Sequence, residues 1–323
     1  MSHREALNEN TMSHYLYSEN GGRGVDVYVP DTGINIGHVD FEGRAYLGIT
    51  IPANLAENDH HGHGTHCSGT MVGKRFGVAK KARVFTIKIS EPNSHGRGRL
   101  SDGLKDIEWA VNAHARNASR VKKDPEMRKK FKGSVMNISF ASDRSHAFNA
   151  ALNAAVDTGM HVAVAAGNDT YDACKGSPAS AEKPISVGAS NLTDYLAWFS
   201  NHGPCVDIFA PGVDILSPWI GSNNATRRTT GTSIAFPHVA GLLAYLLSLQ
   251  PGPDSQYAVA ALTPEKLKDI LLSMATRYAL SGLPMHTKNV RRVFFVVEID
   301  MKVLTVVIQL LAWNGAGRST LTA

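Results

Sequence analysis

Three cysteines in 323 residues are too few for a disulfide framework, so this chain must rest on an apolar core. The first twenty residues hold no apolar run. His3, Arg4, Glu5, Glu9 and Glu19 punctuate them, and no signal peptide is expected there. Long unbroken hydrophobic stretches are missing as well. The nearest approach, residues 293–312 (VFFVVEIDMKVLTVVIQLLA), carries Glu298, Asp300 and Lys302 mid-run. Each would cost about 2.5–3.5 kcal/mol at a bilayer centre, which excludes a spanning helix and leaves no membrane partner. Nor is there a general excess of charge. The formal net charge is +5, but residues 116–132 hold eight Lys or Arg against two acids, leaving −1 for the rest. That pattern reads as one solvated helix end and loop, so nucleic acid is not an expected partner. No internal repeat or low-complexity segment stands out.

What remains is an ordinary globular composition, 43% hydrophobic and 7% aromatic. Its patterning alternates between two periods. Val25 to Val29, Arg83 to Ile89, Ser134 to Ile138, Met160 to Ala166 and Pro184 to Val187 read as buried strands. Helical faces lie between them: Leu104, Ile107 and Val111 behind an N-cap at Ser101; Phe148, Leu152 and Val156; and Val239, Leu242, Leu243 and Leu246. Thr263-Pro264-Glu265 is a cap with proline at the first helical position. Strand and helix in alternation predict a three-layer α/β fold, a mostly parallel sheet with helices on both faces. Its site should lie at the carboxyl edge of the strands.

Three short segments carry chemistry: Val29-Pro30-Asp31-Thr32-Gly33, His63-Gly64-Thr65-His66-Cys67, and Gly231-Thr232-Ser233-Ile234-Ala235-Phe236-Pro237-His238. Each sets one polar group among glycines and small residues, and they run in the order Asp, His, Ser. A serine hydroxyl is nearly inert until a base takes its proton. Ser233 is the expected nucleophile, His63 its general base, and Asp31 the group that orients the imidazole. Ser233 also opens an apolar helical run, and taken alone it would read as an N-cap serine. At a helix start, unpaired N–H groups and the positive dipole end suit a developing oxyanion. His60, His61, His63 and His66 are dense enough to suggest zinc, but no H-E-x-x-H glutamate accompanies them and no metal is expected there. His66 reads as a packing residue. Cys67, four residues after His63, is expected on the same side of the helix.

With Ala165-Ala166-Gly167-Asn168 between the second and third segments, the chain resembles the subtilisin-type serine endopeptidases. Within them it is similar to the proteinase K branch and to the fungal vacuolar proteases of the cerevisin type. His38-Val39-Asp40-Phe41-Glu42-Gly43-Arg44, Ser177-Pro178-Ala179-Ser180, Val187-Gly188-Ala189-Ser190 and Phe209-Ala210-Pro211-Gly212 extend the likeness.

The resemblance implies an acyl-enzyme peptidase of broad specificity that needs no cofactor for its chemistry and acts on proteins and peptides. It implies Asn168 as oxyanion donor. Substrate would lie between Gly96-Arg97-Gly98 and Ser139-Phe140-Ala141, with Ala165, Ala166 and Gly167 lining the first pocket. It further implies a buried free thiol at Cys67, and a structural calcium at Asp207 with the carbonyls of Glu182 and Pro184. A monomer, a vacuolar or secreted location and an inhibitory propeptide missing from this chain are also expected. Such a compartment permits a disulfide, and Cys174 and Cys205 are the expected pair. Relatives run almost directly into Leu310-Leu311-Ala312-Trp313-Asn314-Gly315. The organisation expected is therefore a catalytic domain over 1–289, an insertion over 290–309 and a tail over 310–323. The insertion begins with Val290, whose codons start GT, and ends with Gln309, which CAG encodes. It reads as a translated in-frame intron.

Four departures from the family pattern bear on activity. Pro30 precedes the aspartate in place of Ile or Val, Ala141-Ser142 replaces Gly-Gly beside the cleft, Ile234 replaces Met, and Phe236 replaces a small Ser or Thr. A homologue with impaired catalysis, acting as a binding or antigenic protein, is the alternative they raise.

Overall fold

The computed structural model describes residues 17–51, 53, 56–89, 100–139, 141–251, 262–277, 279–284, 287 and 291–292. The expected Gly96, Gly98 and Phe140, and the whole of 293–323, lie outside these. In chain order the strands are β1 (Val25–Asp31), β2 (Ala45–Thr50), β3 (Arg83–Lys88), β4 (Gly133–Ile138), β5 (Ser142–Asp143), β6 (His161–Ala165) and β7 (Gly176–Ser177). They continue with β8 (Ile185–Ser190), β9 (Ile208–Pro211), β10 (Ile215–Pro218), β11 (Thr226–Thr229), β12 (Thr276–Arg277) and β13 (Arg291–Arg292). The helices are α1 (His63–Val72), α2 (Leu100–Lys123), α3 (Pro125–Lys130), α4 (His146–Asp157), α5 (Thr232–Ser248) and α6 (Pro264–Met274).

Nine strands form one sheet in the order β2-β3-β1-β4-β6-β8-β9-β13-β12, parallel except for the last pair. Strand alternation divides the core. Val25, Val27 and Val29 of β1, Val135 of β4 and Ala163 and Ala165 of β6 face α1, α5 and α6. Tyr28, Met136, Ile138, Val162 and Val164 face α2 and α4. Both faces are covered, as a parallel sheet requires and as the expected three-layer architecture has it. Among the described residues no helix is long and apolar enough to cross a membrane.

The helix expected to begin at an Ser101 cap instead includes Leu100, which puts Ser101 inside its first turn. Thr263 does cap α6, its side chain accepting from the Lys266 amide. Strand β2 escaped the sequence reading because Gly48 interrupts Ala-Tyr-Leu-Gly-Ile-Thr, and β9 because Pro211 ends it. From β1 the chain runs outward to β2 and β3 on one side, then crosses to β4 and onward on the other. The order therefore reverses between β1 and β4, a topological switch point at whose carboxyl edge such sheets place their sites.

Candidate active site

Asp31 ends β1, His63 opens α1, and Ser233 sits in the first turn of α5. The three side chains form one relay. His63 Nδ1 lies 2.7 and 3.0 Å from the Asp31 carboxylate oxygens, and His63 Nε2 lies 3.0 Å from Ser233 Oγ. Helix α1 can start this close to β1 because residue 64 is glycine: a Cβ there would fall 2.1 Å from the Gly33 carbonyl oxygen.

The charges follow from the geometry. Burial opposes ionisation of Asp31, but His63, the Thr32 amide and the Ser139 hydroxyl outweigh it and hold the carboxyl below its ordinary value. Burial likewise opposes a charge on His63, and the Asp31 carboxylate overcomes that, leaving the imidazole more basic than usual. Cys67 lies beneath, with Sγ 3.7 and 3.9 Å from the two ring nitrogens. Burial pushes its thiol up to about 11, so it is neutral and Asp31 is the cause of the shift in His63. The thiol donates to the Ser233 carbonyl at 3.3 Å. That carbonyl has no helical donor because residue 237, four further on, is proline.

Asn168 follows the end of β6. Its Oδ1 accepts from the Thr232 amide and hydroxyl, both at 2.8 Å, which leaves its Nδ2 as the free donor. A Cβ placed on Gly231 would lie 3.0 Å from Ser233 Oγ and 3.7 Å from Asn168 Nδ2, so these two groups flank the space that Gly231 keeps open. The Ser233 amide, at the helix start, has no acceptor within its helix. Ala165, Ala166 and Gly167, all buried, lead from β6 to Asn168. Gly167 has φ +104°, and a Cβ there would strike Asn201 Nδ2 at 2.2 Å. Asn201 holds this segment: its side chain donates to the Ala166 carbonyl, its amide donates to the Gly167 carbonyl, and its Oδ1 accepts from the Asp169 and Tyr171 amides.

Sequence reasoning missed Asn201, and it missed Asp59. Asp59 Oδ1 accepts from Thr32 Oγ1, the His61 amide and the Gly62 amide at 2.8–3.0 Å. Its Oδ2 accepts from the Thr65 amide at 3.0 Å and hydroxyl at 2.6 Å. One carboxylate thus ties the turn after Asp31 to the helix that carries His63. An Asp four residues ahead of a helical His was the available signal, since acidic side chains cap helix starts.

Of the remaining expectations, Ser139 contacts the relay itself, its hydroxyl donating to Asp31 Oδ2 at 2.8 Å. Ala141 is exposed beside it. Cys174 and Cys205 are bonded, with Cα atoms 5.2 Å apart. Of the histidine cluster, His66 turns away, its Nε2 bonding to the Ile215 carbonyl and to Thr229 Oγ1, while the His61 and His63 rings stay 6.2 Å apart. Among the described residues, the group of three ligand-type side chains close enough to share an ion is Asp31, His63 and Cys67, the relay itself. Asp207 and the carbonyls of Glu182 and Pro184 do converge, but on the ammonium of Lys268. That donor set does not fit a calcium ion, because a cation already stands in it.

The departures leave the relay intact. The β1–β4 ladder ends at Tyr28 and Met136, before Pro30. The Pro30 carbonyl points to the β4 side, 3.4 Å from Ser139 Oγ, while the Asp31 carbonyl points to the β3 side and accepts from the Ile89 amide. The missing N–H of Pro30 therefore falls beyond the last β4 pairing. Neither Ala141 nor Ser142 has a positive φ. Phe236 points into the apolar core and is fully buried.

Residues 22–291 match the Subtilase family. The chain belongs to it. This subtilase is 52% identical over 322 residues to the subtilisin-like serine protease Pen ch 18 of Penicillium rubens, covering 100% of this chain and 60% of that protein. It is 50% identical over 322 residues to alkaline protease 2 of Aspergillus fumigatus, again covering 100% of this chain and 60% of the relative. The chain thus spans about 60% of the length of these curated relatives. The crystal structure of a cold adapted subtilisin-like serine proteinase superposes with a TM-score of 0.75 at 31% identity, over 90% of this chain and 94% of that one. Subtilases need no cofactor for catalysis.

Proposed function

We propose that this subtilase is a serine endopeptidase that cleaves proteins and peptides with broad specificity. The observation that carries the reading is the His63 Nε2 to Ser233 Oγ distance of 3.0 Å, with Asp31 closing the relay behind it. Ser233 Oγ attacks the scissile carbonyl while His63 takes its proton. The tetrahedral oxyanion is met by the Ser233 amide and Asn168 Nδ2. His63 then gives its proton to the departing amine, leaving an acyl-enzyme that a water molecule hydrolyses by the same steps in reverse. Substrate lies extended against Ser139 and Ala141 on one side and Gly96 and Gly98 on the other, with its side chain toward Ala165, Ala166 and Gly167. A pocket walled by such small residues selects weakly. The impaired alternative is not favoured, since every relay distance is within hydrogen-bond range.

The catalytic domain spans 1–289 in this reading, with 290–309 an insertion and 310–323 a tail; sequencing the spliced transcript tests the insertion. A vacuolar or secreted location, a monomeric state and an inhibitory propeptide as partner belong to the same proposal. The Cys174–Cys205 bond supports an oxidising compartment.

Ser233→Ala should abolish peptide hydrolysis and labelling by a serine-directed phosphonate while the circular dichroism stays that of the parent. Substantial hydrolysis in Ser233→Ala would refute the assignment.

A further inference from the structure

Away from the catalytic crevice, three oxygens from two segments converge on one nitrogen. Lys268 reaches from α6, and its Nζ lies 2.9 Å from Asp207 Oδ2, 2.8 Å from the Pro184 carbonyl and 3.5 Å from the Glu182 carbonyl. Asp207 immediately precedes β9, and Pro184 immediately precedes β8. The two segments are already joined: Asp207 Oδ2 accepts from the Ser186 amide, and the Asp207 amide donates to the Ser186 carbonyl, both at 2.9 Å. The side chains of Lys268 and Asp207 are 18% and 24% exposed. Their pairing is therefore partly shielded from water.

An ammonium offers three N–H donors and no acceptor, which matches three oxygens. Calcium asks for more. It takes six to eight oxygens at about 2.3–2.6 Å, and its double charge would repel an ammonium in the same cradle. We propose that Lys268 is a covalently supplied cation standing where the family resemblance implies a calcium ion. The turn 182–184, the start of β9 and helix α6 are held together by a charge that chelators cannot remove. The inference concerns stability and is independent of the catalytic reading.

It also assigns a latent metal site. With the ammonium gone, one carboxylate and two carbonyls face each other without a counter-charge, and a divalent cation can enter with water completing its shell. The test is thermal unfolding of the phosphonate-inhibited protein, with calcium chloride and with a chelator. The parent should melt at the same temperature in both. Lys268→Ala should melt lower in chelator, by about 3 °C or more, and calcium should restore much of that loss. Lys268→Met, whose stem still fills the cradle, should melt lower without being rescued, and it carries the comparison with the parent if the alanine variant does not fold. Two results would overturn the proposal: alanine and methionine variants as stable as the parent in chelator, or a chelator-induced loss in the parent that Asp207→Asn abolishes.

Discussion

Asp59 accepts five hydrogen bonds and touches no catalytic atom, yet it spans the join between Thr32 and Thr65. Its removal should let α1 drift from the end of β1, and displacements near 1 Å at a reacting group cost on the order of 10²-fold. Asp59→Ala is expected to lower kcat about 10- to 100-fold with KM little changed. The pH profile gives a second readout. In the proposed mechanism turnover needs neutral His63, and Asp31 holds that imidazole more basic than usual. In the parent, kcat/KM should therefore rise with pH through an apparent pKa above about 6.5. In Asp59→Ala, with Asp31 and His63 loosened, that limb should move down toward the ordinary value. Asp59→Asn retains one acceptor oxygen and should fall between the two. An unchanged kcat and an unmoved limb in Asp59→Ala would show that the helix finds its place unaided.

At the scale of elements, Phe236 illustrates how a sequence departure changes meaning once packing is visible. It lies one turn into α5 behind Ser233, where a large residue stands in place of a small one. In the fold its ring is fully buried in the apolar layer between the sheet and α1, α5 and α6. Restoring the serine usual at this position would empty that volume and bury a hydroxyl. Phe236→Ser should therefore destabilise the protein by at least about 3 kcal/mol in urea unfolding and leave kcat within a few-fold of the parent. A variant of parental stability that turns over much faster would mean that the ring does strain the helix start. Pro30 is tolerated for a comparable reason. Its imino nitrogen falls past the end of the β4 ladder, so no pairing is lost that the neighbouring strand could have made.

For the whole molecule, acid should be the more damaging direction of pH. Burial holds His66 and His238 at about 4 and His161 at about 3, and it lowers His114 as well. Unfolded histidines take up protons below about 6.5, whereas these folded ones resist. Stability is therefore lost progressively as pH falls from about 6.5. Asp106, pushed by burial up to about 8, Asp26, which burial also raises, and His63 act the other way, since folding helps each to bind its proton. Four lowered groups outnumber three. The urea midpoint of phosphonate-inhibited protein should drop between pH 7 and pH 5, and His161→Gln should flatten the slope. A midpoint that rises over that interval would show that the opposing groups dominate.

Period and punctuation in the sequence determined the alternating strands and helices, the parallel sheet, and the identity of Asp31, His63 and Ser233. These are local signals: alternation follows from strand geometry, and glycines mark where backbones must come close. Tertiary structure alone decided that Asp59 holds the relay and Asn201 the segment before Asn168, because their partners come from segments far apart in the chain. It likewise decided where Lys268 points. A lysine on an amphipathic helix reads as solvated surface until Asp207 and the 182–184 turn are brought against it. Distance in space, and not sequence pattern, turns that charge into the cation of the site.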